Sequence, residues 1–203
     1  MLGVNPSAQR EANDFYATDP YAIYSSEYFF DYIGLNKNIW EPACGLNHLV
    51  NPLKFLGYNV KATDIVKRGN MTDEQVVDFL SPSVTQEKWY GDILTNPPFK
   101  LAPDFIRQAD SILDLGRLSV FLLKIQFLET LKRAALFDEC GLKYVGVFSE
   151  RICCAMNGEF NKYFKQDIFG RYKGGTQLYA WFVFQKGYIG EPKLYFIGHR
   201  SNV

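Results

Sequence analysis

Two histidines in 203 residues, His48 and His199, stand far apart, and that scarcity argues against both a zinc site and a histidine-based hydrolase. Cys44, Cys140, Cys153 and Cys154 show no metal-ligand spacing, and an adjacent pair such as Cys153 and Cys154 rarely bridges without strain; reduced thiols are expected. An excess of either charge is lacking too. The 22 basic residues balance 22 acidic ones, so no global field draws the chain to a polyanion or a membrane, and any nucleic-acid contact must be local. Nowhere do about twenty apolar residues run together, and residues 1–14 hold no basic segment followed by an apolar stretch. A soluble, cytoplasmic protein is expected, with no membrane or metal partner. Internal repeats and low-complexity tracts are missing as well.

What is present suits one α/β domain spanning residues 1–203, too short for a catalytic unit plus a separate recognition domain. Asp19-Pro20 is a helix-start signal and predicts a helix over 21–32. Residues 38–42 form a short apolar segment broken by proline, and 46–56 form an amphipathic helix stopped by Gly57. Strands are expected at 58–65, 75–80, 90–95, 117–125 and 143–149, with helices at 102–115 and 126–140 between the later ones. An aromatic strand at 177–185 could pair antiparallel with 143–149. Strands alternating with helices mean a doubly wound, mostly parallel sheet.

Ligands of such sheets bind beyond the carboxyl ends of the strands, and four ends are informative. Glu41-Pro42-Ala43-Cys44-Gly45 turns a strand through small residues into a helix, letting backbone approach a ligand closely. Asp64 ends the next strand with a carboxylate suited to a ribose diol. Asp78-Phe79 sets an acceptor beside a ring and could take an adenine amine and cover its face. Each also has a plainer reading, as turn, helix cap or core; their order on consecutive strands favours the functional one. The fourth end is Asn96-Pro97-Pro98-Phe99. Proline fixes its own backbone angle and restricts the residue before it, so Asn96 and Pro97 are held extended. In that frame the Asn96 side-chain oxygen and the Pro97 carbonyl can accept both hydrogens of one amino group, and Phe99 can stack on the ring that bears it.

These residues resemble the class I S-adenosylmethionine-dependent methyltransferases, and specifically the amino-methyltransferases that modify adenine in DNA. The resemblance implies catalysis at Asn96, Pro97, Pro98 and Phe99. It implies cofactor contacts from Glu41, Pro42, Ala43, Cys44 and Gly45 to the methionine part, from Asp64 to ribose, and from Asp78 and Phe79 to adenine. The run Asp14-Phe15-Tyr16-Ala17-Thr18 before Asp19-Pro20 is similar to the cofactor-closing segment of small phage and prophage adenine methyltransferases, which makes residues 1–34 a closing segment and helix. The likeness continues through Lys124-Ile125-Gln126-Phe127-Leu128-Glu129, Phe148-Ser149-Glu150-Arg151-Ile152, Asn157-Gly158 and Tyr179-Ala180-Trp181-Phe182-Val183. The fold it implies is a Rossmann-like sheet of seven strands, mostly parallel with the last antiparallel. One departure is Asn47, where the family's cofactor turn usually carries a second glycine; asparagine tolerates the left-handed conformation better than other non-glycine residues do.

The activity implied is methyl transfer from S-adenosylmethionine to the N6 amine of adenine in DNA, with the base flipped out or presented on a single strand. Residues 150–176 interleave cations and rings, and Arg151, Lys162, Lys165, Arg171 and Lys173 are the expected target-binding residues. The same motif also suits guanine in RNA or glutamine in a protein. A non-catalytic module binding DNA or a partner is the reading that Asn47 supports.

Overall fold

The computed structural model describes residues 15–86 and 88–198. In chain order the elements are β1 (Tyr16–Thr18), α1 (Tyr21–Tyr24), α2 (Glu27–Ile33), β2 (Asn38–Glu41), α3 (Val50–Phe55), β3 (Asn59–Ala62), α4 (Pro82–Thr85), β4 (Asp92–Thr95), α5 (Ala102–Ile112), β5 (Leu118–Lys124) and α6 (Leu131–Cys140). There follow β6 (Leu142–Phe148), β7 (Cys154–Met156), α7 (Phe160–Tyr163), β8 (Lys165–Gln166), β9 (Tyr172–Lys173), β10 (Tyr179–Gln185) and β11 (Lys193–Ile197).

Seven of these strands form one sheet in the order β11-β6-β10-β5-β4-β2-β3. All neighbours are parallel except β10, which runs antiparallel to both β5 and β6. Each face of the sheet carries its own apolar layer. Trp181 and Val183 of β10 with Val120 and Leu122 of β5 face Ile23, Phe29, Phe30 and Leu53, whereas Phe182, Phe184, Phe121 and Leu123 face Ile106, Ala109, Ile112 and Leu136. The two-residue alternation of both strands is thus matched by helices above and below, the arrangement that buries a sheet on both faces. The chain leaves β2 toward β3 on one side and reaches β4 on the other, so the order reverses at β2. A crevice opens at the carboxyl ends of β2 and β4, where such sheets take their ligands.

The expected mixed sheet of seven strands is found, but its membership differs. Residues 75–80 do not join it: a short 3-10 turn occupies Asp73–Gln75, Asp64 and Val76 make a single bridge, and the Leu80 amide donates to Asp78 Oδ1 rather than to a neighbouring strand. The seventh place belongs to β11, parallel to β6 at the edge, so the antiparallel strand is followed by one more. The helix expected over 21–32 is two, because Ser25 and Ser26 turn their hydroxyls back onto the carbonyls of Tyr21 and Ala22, both at 2.7 Å. The helix expected from residue 46 begins at Val50, since Asn47 is left-handed at φ 66°. The stretch 126–140 divides at Thr130, at φ 87°, into a 3-10 turn over Ile125–Leu128 and α6. All four thiols are free.

Candidate active site

The β2 strand ends inside the protein at Glu41, which is 1% exposed. Its Oε1 accepts from the Thr95 hydroxyl and, at 3.1 Å, from the Ala43 amide; its Oε2 is buried with no hydrogen-bond partner. Burial pushes this carboxyl up to about 8, overriding the hydrogen bonds that favour the ionised form. The unfolded chain ionises Glu41 near its usual 4.5, whereas the folded protein keeps the proton to about 8, so the group costs stability as pH rises through that window. Glu41→Gln cannot ionise. In urea denaturation the variant is expected to match the parent below pH 4.5 and to exceed it by about 2–4 kcal/mol at pH 8; a pH-independent difference would contradict this assignment.

Beyond Glu41 the chain turns sharply. Gly45 is left-handed at φ 54°, and a Cβ placed there would meet the Phe15 ring at 2.3 Å, a contact that only glycine permits. Asn47 follows in the same region of conformational space, its amide donating to the Cys44 carbonyl at 2.8 Å. Asparagine thus fills the place of the missing glycine without changing the turn's hand. Asp64 ties the turn to the end of β3: its Oδ2 accepts from the Gly45 amide and its Oδ1 from the Val66 amide, both at 2.9 Å.

The β4 strand is buried along its length and delivers the Asn96-Pro97-Pro98-Phe99 segment to the same crevice. Asn96 Nδ2 donates to the Tyr16 carbonyl at 3.1 Å and to Thr18 Oγ1 at 2.9 Å. With both amide hydrogens engaged, the orientation of the side chain is fixed, and its Oδ1 is left buried and without a partner. Phe99 stacks on Tyr179 with ring centroids 6.0 Å apart, and Lys124 Nζ lies 5.2 Å from the Phe99 centroid.

The residues holding Asn96 come from β1, a strap laid across the crevice and paired antiparallel with β7. Phe15, Tyr16, Thr18, Glu41, Pro42, Ala43, Cys44, Asp64, Asp78, Phe79 and Asn96 to Phe99 all line one cleft. Gly45 underlies it, covered by Phe15. Asp14 falls outside the described residues. Within the cleft Asp78 is exposed, whereas Phe79 is 2% exposed and packs chiefly as core, edge-on to Trp40 at 5.3 Å and tilted against Phe105 at 5.1 Å. Burial pushes the Cys44 thiol up to about 12, and with no disulfide it lies in the cleft wall as a neutral group.

The expected target-binding cations lie apart from this cleft, and most are paired. Arg171 and Lys173 share Glu150 at 3.1 and 2.8 Å, Arg171 also meets Asp167 at 2.9 Å, Lys162 meets Glu159 at 2.7 Å, and Arg151 donates to the Thr176 carbonyl at 2.9 Å. Lys165, on β8, is exposed. Beside them lies a second cavity of about 550 Å³, bounded by Tyr163, Phe164, Cys154, Gln177 and Tyr179 and sharing Tyr16 with the first. Most of its walls come from residues 150–176, the expected target-binding loop, whereas His48 and Arg68 of the cleft were not among the expected residues. Arg68 carried one signal, its position four residues after Asp64; His48 carried none.

No family model matches the chain, and no curated protein matches it in sequence. Solved structures do resemble it. A protein from Listeria monocytogenes described as a class I S-adenosylmethionine-dependent methyltransferase aligns at a TM-score of 0.53 with 13% identity, over 97% of this chain and 68% of its own. A structure reported for the conversion of a disulfide bond into a thioacetal group during echinomycin biosynthesis aligns at 0.53 with 9% identity, over 86% and 84%. The type IIG restriction endonuclease BpuSI aligns at 0.50 with 14% identity, over 83% of this chain and 24% of that one. The chain has the fold of the class I S-adenosylmethionine-dependent methyltransferases.

Proposed function

We propose that the protein transfers a methyl group from S-adenosylmethionine to the N6 amine of adenine in DNA. One observation carries the reading: Asn96 spends both amide hydrogens on the strap and holds an unpartnered oxygen in the cleft beside the Glu41 to Gly45 turn. A buried acceptor without a donor is uncommon in a folded protein unless a ligand completes it.

The cleft fits the cofactor. Glu41 Oε2, buried and unpartnered, suits the ammonium of an amino-acid tail, Asp64 retains lone pairs for ribose hydroxyls, and the Gly45 turn admits a ligand without obstruction from its own side chain. S-adenosylmethionine supplies an electrophilic methyl carried on a sulfonium. The protein's share is to hold and orient the amine. Asn96 Oδ1 and the Pro97 carbonyl accept its two hydrogens, which turns the nitrogen lone pair out of conjugation with the ring. No strong base is needed, because the nitrogen becomes acidic only once it bears the methyl group.

For the target, the second cavity beside Tyr16, Tyr163 and Tyr179 is large enough for a nucleobase, and flipping one out of a duplex costs a few kcal/mol that stacking on such rings offsets. Replacing Lys162 and Lys165 together with Ala is expected to raise the KM for DNA and flatten its dependence on salt, measured by steady-state kinetics at several ionic strengths. An unchanged KM and slope would confine both to a structural role. The reading as a whole is tested by incubating the protein with labelled S-adenosylmethionine and parallel DNA, RNA and protein mixtures, followed by nucleoside and amino-acid analysis. Label in N6-methyladenine from DNA is expected; label in guanine of RNA or in protein glutamine would reassign the substrate.

A further inference from the structure

The walls of the cofactor cleft are charged unevenly. Glu41, Asp64 and Asp78 line it, and burial holds His48 toward its neutral form, so Arg68 carries the one fixed positive charge among the described lining residues. Its guanidinium lies 4.4 Å from the centroid of the Phe15 ring, and the edge of that ring covers Gly45. Stacking fixes the plane of the fork without using any of its donors. Arg68 enters no ion pair among the described residues, and its Nε is buried with no hydrogen-bond partner. Buried guanidinium donors are normally satisfied, so the missing acceptor is expected from a ligand in the cleft.

That cleft is the one read above as the S-adenosylmethionine site, and the present inference rests on that reading. The ligand brings an ammonium and a ribose diol, for which Glu41, Asp64 and Asp78 offer acceptor oxygens, and a carboxylate, whose natural complement among the described lining residues is the Arg68 guanidinium. The geometry points to Arg68 as the receptor for the carboxylate of the cofactor's amino-acid tail, held by Phe15 of the strap. A nucleic-acid phosphate is the less suitable partner, because the orphaned Nε is buried in the lining of the cleft rather than exposed on an outer surface. Arginine suits the task better than lysine, since two parallel donors match two carboxylate oxygens.

The experiment is a cycle of two changes, one in the protein and one in the ligand. Affinities of the full chain and of Arg68→Ala are measured by titration calorimetry for S-adenosylmethionine and for its decarboxylated analogue, with thermal melts to confirm folding. The parent is expected to bind the decarboxylated ligand at least about tenfold more weakly. Arg68→Ala is expected to lose a similar factor for the intact cofactor and then to be nearly indifferent to decarboxylation. Arg68→Lys, which keeps the charge and loses the fork, runs the same cycle should the alanine variant fail to fold, and is expected to fall between. Losses that simply multiply, with the alanine variant discriminating between the ligands as strongly as the parent, would overturn the assignment. So would unchanged cofactor affinity with weakened DNA binding. Failure of the parent to bind the intact cofactor at all would be a different result, and would remove the function proposed above together with this inference.

Discussion

Asn96→Ala is expected to lower the rate of methyl transfer by about 10²- to 10³-fold or more while altering cofactor affinity little, because it deletes an acceptor whose benefit is realised as charge develops on the amine. Single-turnover kinetics with separately measured cofactor binding is the test. Turnover within a few-fold of the parent would remove Asn96 from the chemistry. Asn96→Asp is the sharper comparison. An aspartate still offers acceptor oxygens, but it would set one of them where Nδ2 now donates to the Tyr16 carbonyl and Thr18 Oγ1. Oxygen against a carbonyl is repulsive, so the aspartate variant is expected to lose both rate and the seat of the strap. Were acceptor chemistry alone sufficient, it would stay active.

The second large effect falls on stability. Trp181 is completely buried at the centre of β10, in contact with Phe30 and Phe148, and its Nε1 donates to Ser26 Oγ at 2.8 Å. Trp181→Ala is expected to cost about 3–5 kcal/mol, the sum of lost burial and the cavity left where the sheet cannot close. Trp181→Phe retains most of the volume and removes the hydrogen bond to Ser26, whose hydroxyl still donates to the Ala22 carbonyl, so a loss nearer about 1 kcal/mol is expected. Urea denaturation of the three proteins at one pH reads the difference. Equal losses for both variants would mean that the hydrogen bond, not the packing, dominates at this position.

Trp181 also shows what the sequence could and could not disclose. Residues 177–185 were legible as a buried aromatic strand because alternation and β-propensity agree there, and the antiparallel pairing with β6 followed. The break at Ser25 and Ser26 was not legible, since the indole that engages Ser26 lies 155 residues away. Residues 75–80 carried the apolar pattern of a strand, yet Phe79 serves the helix-facing layer through Trp40 and Phe105, and local side-chain bonding at Asp78 wins over the ladder. β11 was overlooked because its outer residues Leu194 and Phe196 stay exposed at the sheet edge, which leaves a weak signal. At the site, motifs tied to strand ends were readable: the glycine turn, Asp64 and the double-proline corner converge on one cleft. Charge pairing is partly local, as at Lys162–Glu159 and Arg171–Asp167, and partly across the fold, as at Glu150, and only the second kind is hidden from sequence spacing. Among the cations of residues 150–176, Lys162, Arg171 and Lys173 pair with Glu150, Glu159 and Asp167. The left-handed residue at Asn47 shows the reverse case, in which a departure from the usual letter leaves the geometry intact.

Tyr16 belongs to the walls of both cavities, and the strand that bears it is hydrogen-bonded to β7, the first element after β6. Ligands that both touch this side chain are expected to bind with coupled free energies. Whatever factor an occupant of the first cavity imposes on the second must be returned in equal measure, so equilibrium titrations performed in either order close the same thermodynamic square.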